Sequence, residues 1–384
     1  MRYRTLGKTG LSVSEIGLGC EHLEGQTADA VRAVVDEALA QGMNLFDVFM
    51  SNPKVRSDLG AALRGRREQV LLQGHIGAAW LDGQYTRTRK PDEAKRFFED
   101  LMTRLETDYM DLAMLHFVDT DADYEVLRAS GLVEYAQALK RQSVVKAVGM
   151  SSHEPRTALR AVEDGIIDVL MFSINPAFDL VPEGAGIEEL LTPATFQGSG
   201  ISGADPERER LYRACETHGV GITVMKPLGA GTLLRAESSP FGVALTEEQC
   251  LHYALTRPSV ASVLVGCKTP EEVRAAAGYE AADEAQRDYI SALSGVGLYK
   301  SALGRCMYCN HCLPCPAHID IAQVNKYLDL AGTSGEIPAT IWAHYDTLDA
   351  HGSDCIGCKQ CEARCPFRVP VAERMQKAAA LFGK

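Results

Sequence analysis

Between residues 14 and 278 the chain alternates short apolar, β-rich runs with amphipathic stretches, and this alternation limits the available folds more than any other feature. Eight runs qualify as strands: Glu15–Cys20, Asn44–Phe49, Val70–Ile76, Met110–Phe117, Val145–Met150, Val169–Ile174, Ile222–Met225 and Ser262–Val265. Between them lie stretches of helical period, such as ADAVRAVVDEALAQG, which begins behind Thr27 and stops at Gly42. Strands that alternate with helices pair in parallel, and eight such units over about 300 residues predict an α/β fold of the closed (β/α)₈ TIM-barrel type. An open doubly wound sheet is the alternative, but no glycine-rich fingerprint follows the first strand.

Two stretches depart from a minimal barrel. Residues 2–13, YRTLGKTGLSVS, predict a hairpin turning at Gly7–Gly10 and covering one end of the barrel. Residues 176–206, rich in Gly, Pro and Thr, make a long loop after the sixth strand, of the kind used as a lid. The connector SALSGVGLYKSALG then leads into a cysteine-rich tail, which divides the chain into a barrel over residues 1–298 and a small α-rich domain over residues 299–384.

Net charge is −12, so the surface as a whole repels nucleic acid and anionic membrane, and both are dropped as partners. Residues 299–384 carry 9 Lys+Arg against 8 Asp+Glu, which leaves all of the excess negative charge on the barrel. The start, MRYRTLGKTG, lacks the apolar core of a signal peptide, and no run approaches the ~18 apolar residues of a membrane span. A cytoplasmic location is expected.

Eight of the 12 cysteines crowd into two runs, a pattern that favours metal over disulfides. The first run is Cys306-x2-Cys309-x2-Cys312-x2-Cys315-Pro316 and the second Cys355-x2-Cys358-x2-Cys361-x3-Cys365-Pro366. Cys-x-x-Cys spacing lets successive thiolates wrap an iron–sulfur cubane, and in two-cluster ferredoxins the fourth cysteine of each run ligates the other cluster. The expectation is therefore two [4Fe–4S] clusters in a ferredoxin-like tail, one on Cys306, Cys309, Cys312 and Cys365, the other on Cys355, Cys358, Cys361 and Cys315. Two Zn(Cys)₄ sites are the plainer alternative, but zinc modules pair ligands two by two across a knuckle.

The stretches YRTLGKTGLSVSEIGLG, NLFD, LETDYMDLAMLH, VGMSSH and VMKPLGAG resemble the aldo-keto reductases, and with the tail the resemblance is to the branch that carries iron–sulfur clusters. It implies a nicotinamide cofactor, NAD(H) or NADP(H), across the C-terminal mouth of the barrel, and hydride transfer to a carbonyl. The family uses an Asp, a Tyr, a Lys and a His. Asp47 and His116 match, while Asn52 stands at the Tyr position and His75 at the Lys position. Asn52 has no proton to give, so the usual donor is absent, and Tyr85 is a candidate replacement. The family's nicotinamide anchors fall on Ser151, Ser152 and Met171, with Asn175 beside them, and Lys226 stands where many relatives place a stacking Tyr. Gly229 and Gly231 are placed to approach a pyrophosphate. Thr269 and Glu272 lie near the adenosine end, where a carboxylate repels a 2′-phosphate and so favours NAD.

Barrel chemistry sits at the C-terminal ends of the strands, where Glu21, His22, Asp119 and His153 also fall. His116 or His75 is expected as general acid–base with Asp47 fixing its tautomer, and a two-His-one-carboxylate metal site on Asp47, His75 and His116 is a sharper variant. Arg56 and Arg87, with Arg89 and Lys90, are candidate binders of an anionic substrate. Because hydride moves two electrons together and a cluster passes one, the clusters are either structural or supplied by a ferredoxin-like donor. An oxidoreductase acting on a small polar or anionic molecule is the first reading. An electron-transfer or partner-binding protein with a silent barrel, and a non-redox lyase or metal-assisted hydrolase, are the alternatives.

Overall fold

The computed structural model describes residues 1–179, 205–293, 304, 306, 308, 312–331, 337–365 and 367–384. Most of the expected lid, most of the connector and Cys309 lie outside these residues.

All eight expected strands form, each within a few residues of its sequence bounds. Strand β3 (Ile16–Gly19) is followed by β4 (Leu45–Val48), β5 (Leu71–Ile76), β8 (Met110–Leu115), β9 (Val145–Ser152), β10 (Val169–Ser173), β11 (Gly221–Met225) and β12 (Val260–Gly266), which close into a barrel in that order. Neighbouring strands are parallel throughout. Both faces of such a sheet are covered, which is why these runs are almost uninterruptedly apolar. Helices wrap the outside, and their starts are set locally: the Thr27 hydroxyl accepts from Ala30 N at the head of helix Ala28–Ala40, as its sequence position implied.

The N-terminal hairpin, β1 (Tyr3–Thr5) against β2 (Ser12–Ser14), closes the bottom, the end where the strands begin. Leu6 and Val13 join Leu45, Leu112, Met114, Val169 and Leu264 in the barrel's inner core. Lys8 N donates to Gly219 O at 2.7 Å, and a Cβ on Gly7 would stand 2.3 Å from Gly221 N, so only glycine allows this approach.

A second hairpin, β6 (Ala78–Leu81) with β7 (Gln84–Arg87), leaves the barrel directly after β5. Its turn is Asp82–Gly83, both with positive φ (51° and 75°), the conformation a tight two-residue β-turn requires.

The described tail is helical: Ile321–Ala331, Ala339–Asp346, Gln360–Arg364 and Val371–Phe382, with no strand among its described residues. It seats near the bottom of the barrel. Glu216, at the lower end of helix Pro206–His218, accepts from Ser259 N at 2.8 Å and faces His344 Nδ1 at 3.2 Å and Lys326 Nζ at 3.9 Å, while Thr340 Oγ1 donates to Glu216 O at 2.9 Å. Nearby, the Arg257 guanidinium lies over the Tyr253 ring of the barrel and the Tyr308 ring of the first cysteine run.

Candidate active site at the barrel mouth

Side chains two apart on a strand share a face, so Gln73 and His75 of β5 both point where Asp47 of β4 points. Asp47 Oδ1 accepts from Gln73 Nε2 at 2.7 Å and lies 2.9 Å from His75 Nε2. The other nitrogen of His75, Nδ1, is 2.8 Å from His116 Nδ1, and His116 Nε2 is 2.6 Å from the Tyr85 hydroxyl. Asp47, His75, His116 and Tyr85 thus form one unbroken hydrogen-bonded line. The first three are buried, and Tyr85 is 44 % exposed. Phe49 stacks on His116 at 5.7 Å and meets His75 and Tyr85 edge-on, which holds all three rings.

Burial holds the His116 imidazole well below the ordinary histidine range, helped by His75, Arg89, Arg87 and His153, so His116 is neutral. Burial also raises the Tyr85 phenol, with Arg87 and Arg89 opposing and Glu21 adding to the rise. Arg87 is bonded to Phe117 O at 2.8 Å and pairs with Asp123, yet remains 38 % exposed two residues from Tyr85. Beside this line the Asp119 carboxylate takes Ser152 Oγ, His153 N and His153 Nδ1.

Two candidates have other work. Asn52 caps helix Pro53–Leu63 through Lys54 N and donates to Glu24, so it takes no part in the line. Arg56 is fully buried between that helix and Pro91–Arg104, donating to Met50 O and Phe97 O and pairing with Asp100; it does not meet a substrate at the mouth. Nearness in sequence to Asn52 misled, because helical phase turns residue 56 inward.

A metal on Asp47, His75 and His116 is also corrected: their nitrogens face one another and the carboxylate at hydrogen-bond distance, and among the described residues no three His, Cys, Asp or Glu side chains are placed to hold an ion.

Gly229, Ala230 and Gly231 all have left-handed backbones and a Cβ on Gly231 would meet nothing within 4 Å, but Gly229 N donates to Lys226 O and Gly231 N to Leu228 O, each at 3.0 Å. The anchors are already engaged. Ser151 Oγ accepts from Phe117 N, Ser152 Oγ bonds Asp119, and Asn175 is closed onto Lys226 O and Phe178 N. Thr269 caps helix Pro270–Ala277, and the Glu272 carboxylate accepts from Lys268 N, which puts negative charge at that helix start.

In the tail, Cys315, Cys355, Cys358 and Cys361 line a single cleft with Ile319, Ile356 and Met375. These are the four cysteines, from both runs, that the cross-ligated arrangement groups together. Of the other set, Cys306, Cys312 and Cys365 are described.

The Aldo/keto reductase family profile matches residues 15–249, more than half of the chain. The protein belongs to the aldo/keto reductase family. It is 29 % identical over 284 residues to the uncharacterized oxidoreductase YqkF of Bacillus subtilis (strain 168), covering 71 % of this chain and 89 % of that one. It is 24 % identical over 331 residues to pyridoxal 4-dehydrogenase of Microbacterium luteolum, covering 71 % and 90 %. The holo form of aldo-keto reductase AKR11C1 from Bacillus halodurans shares the fold with a TM-score of 0.60, 24 % identity, and coverage of 76 % of this chain and 96 % of that one. As an aldo/keto reductase the chain is an oxidoreductase on an eight-stranded barrel. Among its described residues no helix is long and apolar enough to cross a membrane.

Within this aldo/keto reductase barrel, the residue that sequence reasoning placed least firmly is Tyr85, which the β6–β7 hairpin carries to His116. The Asp82–Gly83 pair between alternating residues was the local signal for that hairpin. Gln73, which braces Asp47 from the neighbouring strand, and Thr223, which holds Gln73 from across the barrel (Thr223 Oγ1 to Gln73 Oε1, 3.1 Å), were missed because they sit inside strands that read only as core.

Proposed function

We propose that the chain reduces a carbonyl, or oxidises the corresponding alcohol, of a small polar or anionic substrate, with Tyr85 in the proton-transferring role. The observation that carries this is the 2.6 Å contact between the Tyr85 hydroxyl and His116 Nε2, which supplies a phenol to a mouth whose usual position holds Asn52. A tyrosine serves as general acid–base when its proton has a hydrogen-bonded route, and His116 gives it one. Exposed Arg87, on the Tyr85 side of the hairpin, offers a cation to a substrate carboxylate.

The family commonly uses NAD(P)H, and a nicotinamide bound here supplies or accepts the hydride. The Gly229–Gly231 loop would take its pyrophosphate, and Glu272 at the start of helix Pro270–Ala277 disfavours a 2′-phosphate, so NAD is the expected form. The tail carries two [4Fe–4S] clusters, one of them on the cleft cysteines Cys315, Cys355, Cys358 and Cys361, with a ferredoxin-like carrier as their one-electron partner.

Tyr85→Phe tests the reading. Losing a general acid costs about 10²–10⁴ in rate, so turnover of carbonyl and alcohol substrates with NAD(H) should fall at least about 100-fold while dinucleotide binding persists. An unchanged rate would remove Tyr85 from the mechanism.

A further inference from the structure

We propose that Asp47, His75 and His116 form a relay that takes one proton from Tyr85 and returns one by reversing the direction of its hydrogen bonds. This deepens the reading of Tyr85 as the group that meets the substrate oxygen.

With the Asp47 carboxylate ionised and both imidazoles neutral, one placement of protons satisfies every contact. An ionised carboxylate only accepts, so His75 presents Nε2–H to Asp47. The Nδ1 of a neutral His75 is then a lone pair, so His116 must present Nδ1–H to it. That leaves His116 Nε2 as the acceptor for the Tyr85 O–H. All three protons point inward, toward Asp47, and the line carries one negative charge. In this state Tyr85 is set to receive.

When a bound alcohol yields its hydroxyl proton to the Tyr85 oxygen, Tyr85 passes its own proton to His116 Nε2. His116 passes its Nδ1 proton to His75 Nδ1, and His75 becomes an imidazolium against the Asp47 carboxylate. One proton has entered, none has left, no electron has moved, and the line is neutral. Every bond beyond Asp47 has turned over: His75 Nδ1–H now donates to His116, His116 Nε2–H donates to Tyr85, and the Tyr85 O–H points out to the substrate. The reverse sequence delivers the proton to a carbonyl oxygen. The hydride moves separately, to or from a nicotinamide-class dinucleotide.

The surroundings decide where the added charge rests. His116 is buried and faces Arg87 and Arg89 of the hairpin arm and His153 of β9, all of which oppose a second positive charge there. His75 has a carboxylate on its far side, and Gln73, itself held by Thr223, fixes that carboxylate. Glu21 completes the charged groups facing Tyr85. A lysine at position 75 offers only donors and can hold a charge but not pass one along; an imidazole has both a donor and an acceptor. Histidine at 75 therefore changes a fixed cation into a conductor.

The experiment is ¹⁵N NMR of the histidine-labelled full-length protein across pH 5–9, with His75 and His116 assigned through His75→Gln and His116→Gln. Expected is a single midpoint, below which His75 gains a proton while His116 changes from Nδ1–H to Nε2–H without gaining one. Separate midpoints for the two rings, His116 keeping Nδ1–H throughout, or no coupled change would overturn the relay. None of these outcomes depends on turnover, so the relay stands or falls apart from the Tyr85 reading. In active protein the relay also requires opposite limbs, alcohol oxidation falling tenfold per pH unit below the midpoint and carbonyl reduction falling tenfold per unit above it.

Discussion

Replacing Glu216 with alanine tests how the tail is held on the barrel. The substitution deletes the acceptor of Ser259 N and strips the counter-charge from Lys326, which is 13 % exposed, and His344, which is 52 % exposed. Breaking a buried pair by removing one partner costs about 3–5 kcal/mol, and the exposure of His344 reduces this to about 2–3 kcal/mol. Trp342 lies in tail helix Ala339–Asp346, and the only other tryptophan, Trp80, is on the mouth hairpin. In a Trp80→Phe background, Trp342 fluorescence therefore follows the tail alone during urea unfolding. Its midpoint should drop, and trypsin should release the tail sooner. The pH dependence follows from the directions of the shifts. Burial would raise the Glu216 carboxyl, but His344, Lys326 and Ser259 N outweigh it and lower it, so its contribution is present above its unfolded value and lost in acid. His344 is raised, chiefly by its bond to Glu216, so its contribution is full below the unfolded value of about 6.5 and fades as pH rises through the folded one. The joint is strongest between these limits. A Trp342 transition that Glu216→Ala leaves in place would refute the assignment of the seat to this carboxylate.

Arg56→Met should destabilise the barrel by about 2–3 kcal/mol, because the guanidinium, pushed down to about 10 by burial, satisfies Met50 O, Phe97 O and Asp100; KM for an anionic substrate should not change, and a raised KM with normal stability would return it to the mouth. Gly60→Ala would place a Cβ 2.0 Å from Arg104 O and should cost about 1–3 kcal/mol, read as a lower thermal midpoint. Cys355→Ser should reduce iron and acid-labile sulfide to the content of the remaining cluster in anaerobically purified protein; an unchanged content would remove Cys355 as a ligand.

The barrel was legible because a parallel strand covered on both faces must be apolar along its whole length, and each of the eight runs is bounded by polar or glycine-containing segments. The mouth was legible in part. Asp47, His75 and His116 fall at strand ends, so topology alone brings them together. Tyr85 does not: ten residues separate it from His75 along the chain, and only the Asp82–Gly83 reversal folds its hydroxyl back onto His116. Arg56 misled for the opposite reason, since neighbours in sequence point apart on a helix. Ser152, Asn175 and Thr269 bond within the protein, since small polar residues at loop starts serve caps and turns as readily as ligands.

The seat of the tail at the bottom of the barrel has a consequence for electron flow. A parallel strand rises about 3.3 Å per residue, so the eight residues of β9, tilted in the barrel, separate the two ends by about 20 Å. Tunnelling falls off exponentially with distance, and the inner core between the ends, Leu112 and Leu264 among it, is apolar. A reductant of the proposed tail clusters and a dinucleotide at the mouth would therefore act on two poles of one molecule. On the proposed function, proton traffic through His116 and His75 would belong to one pole, and single electrons to the other.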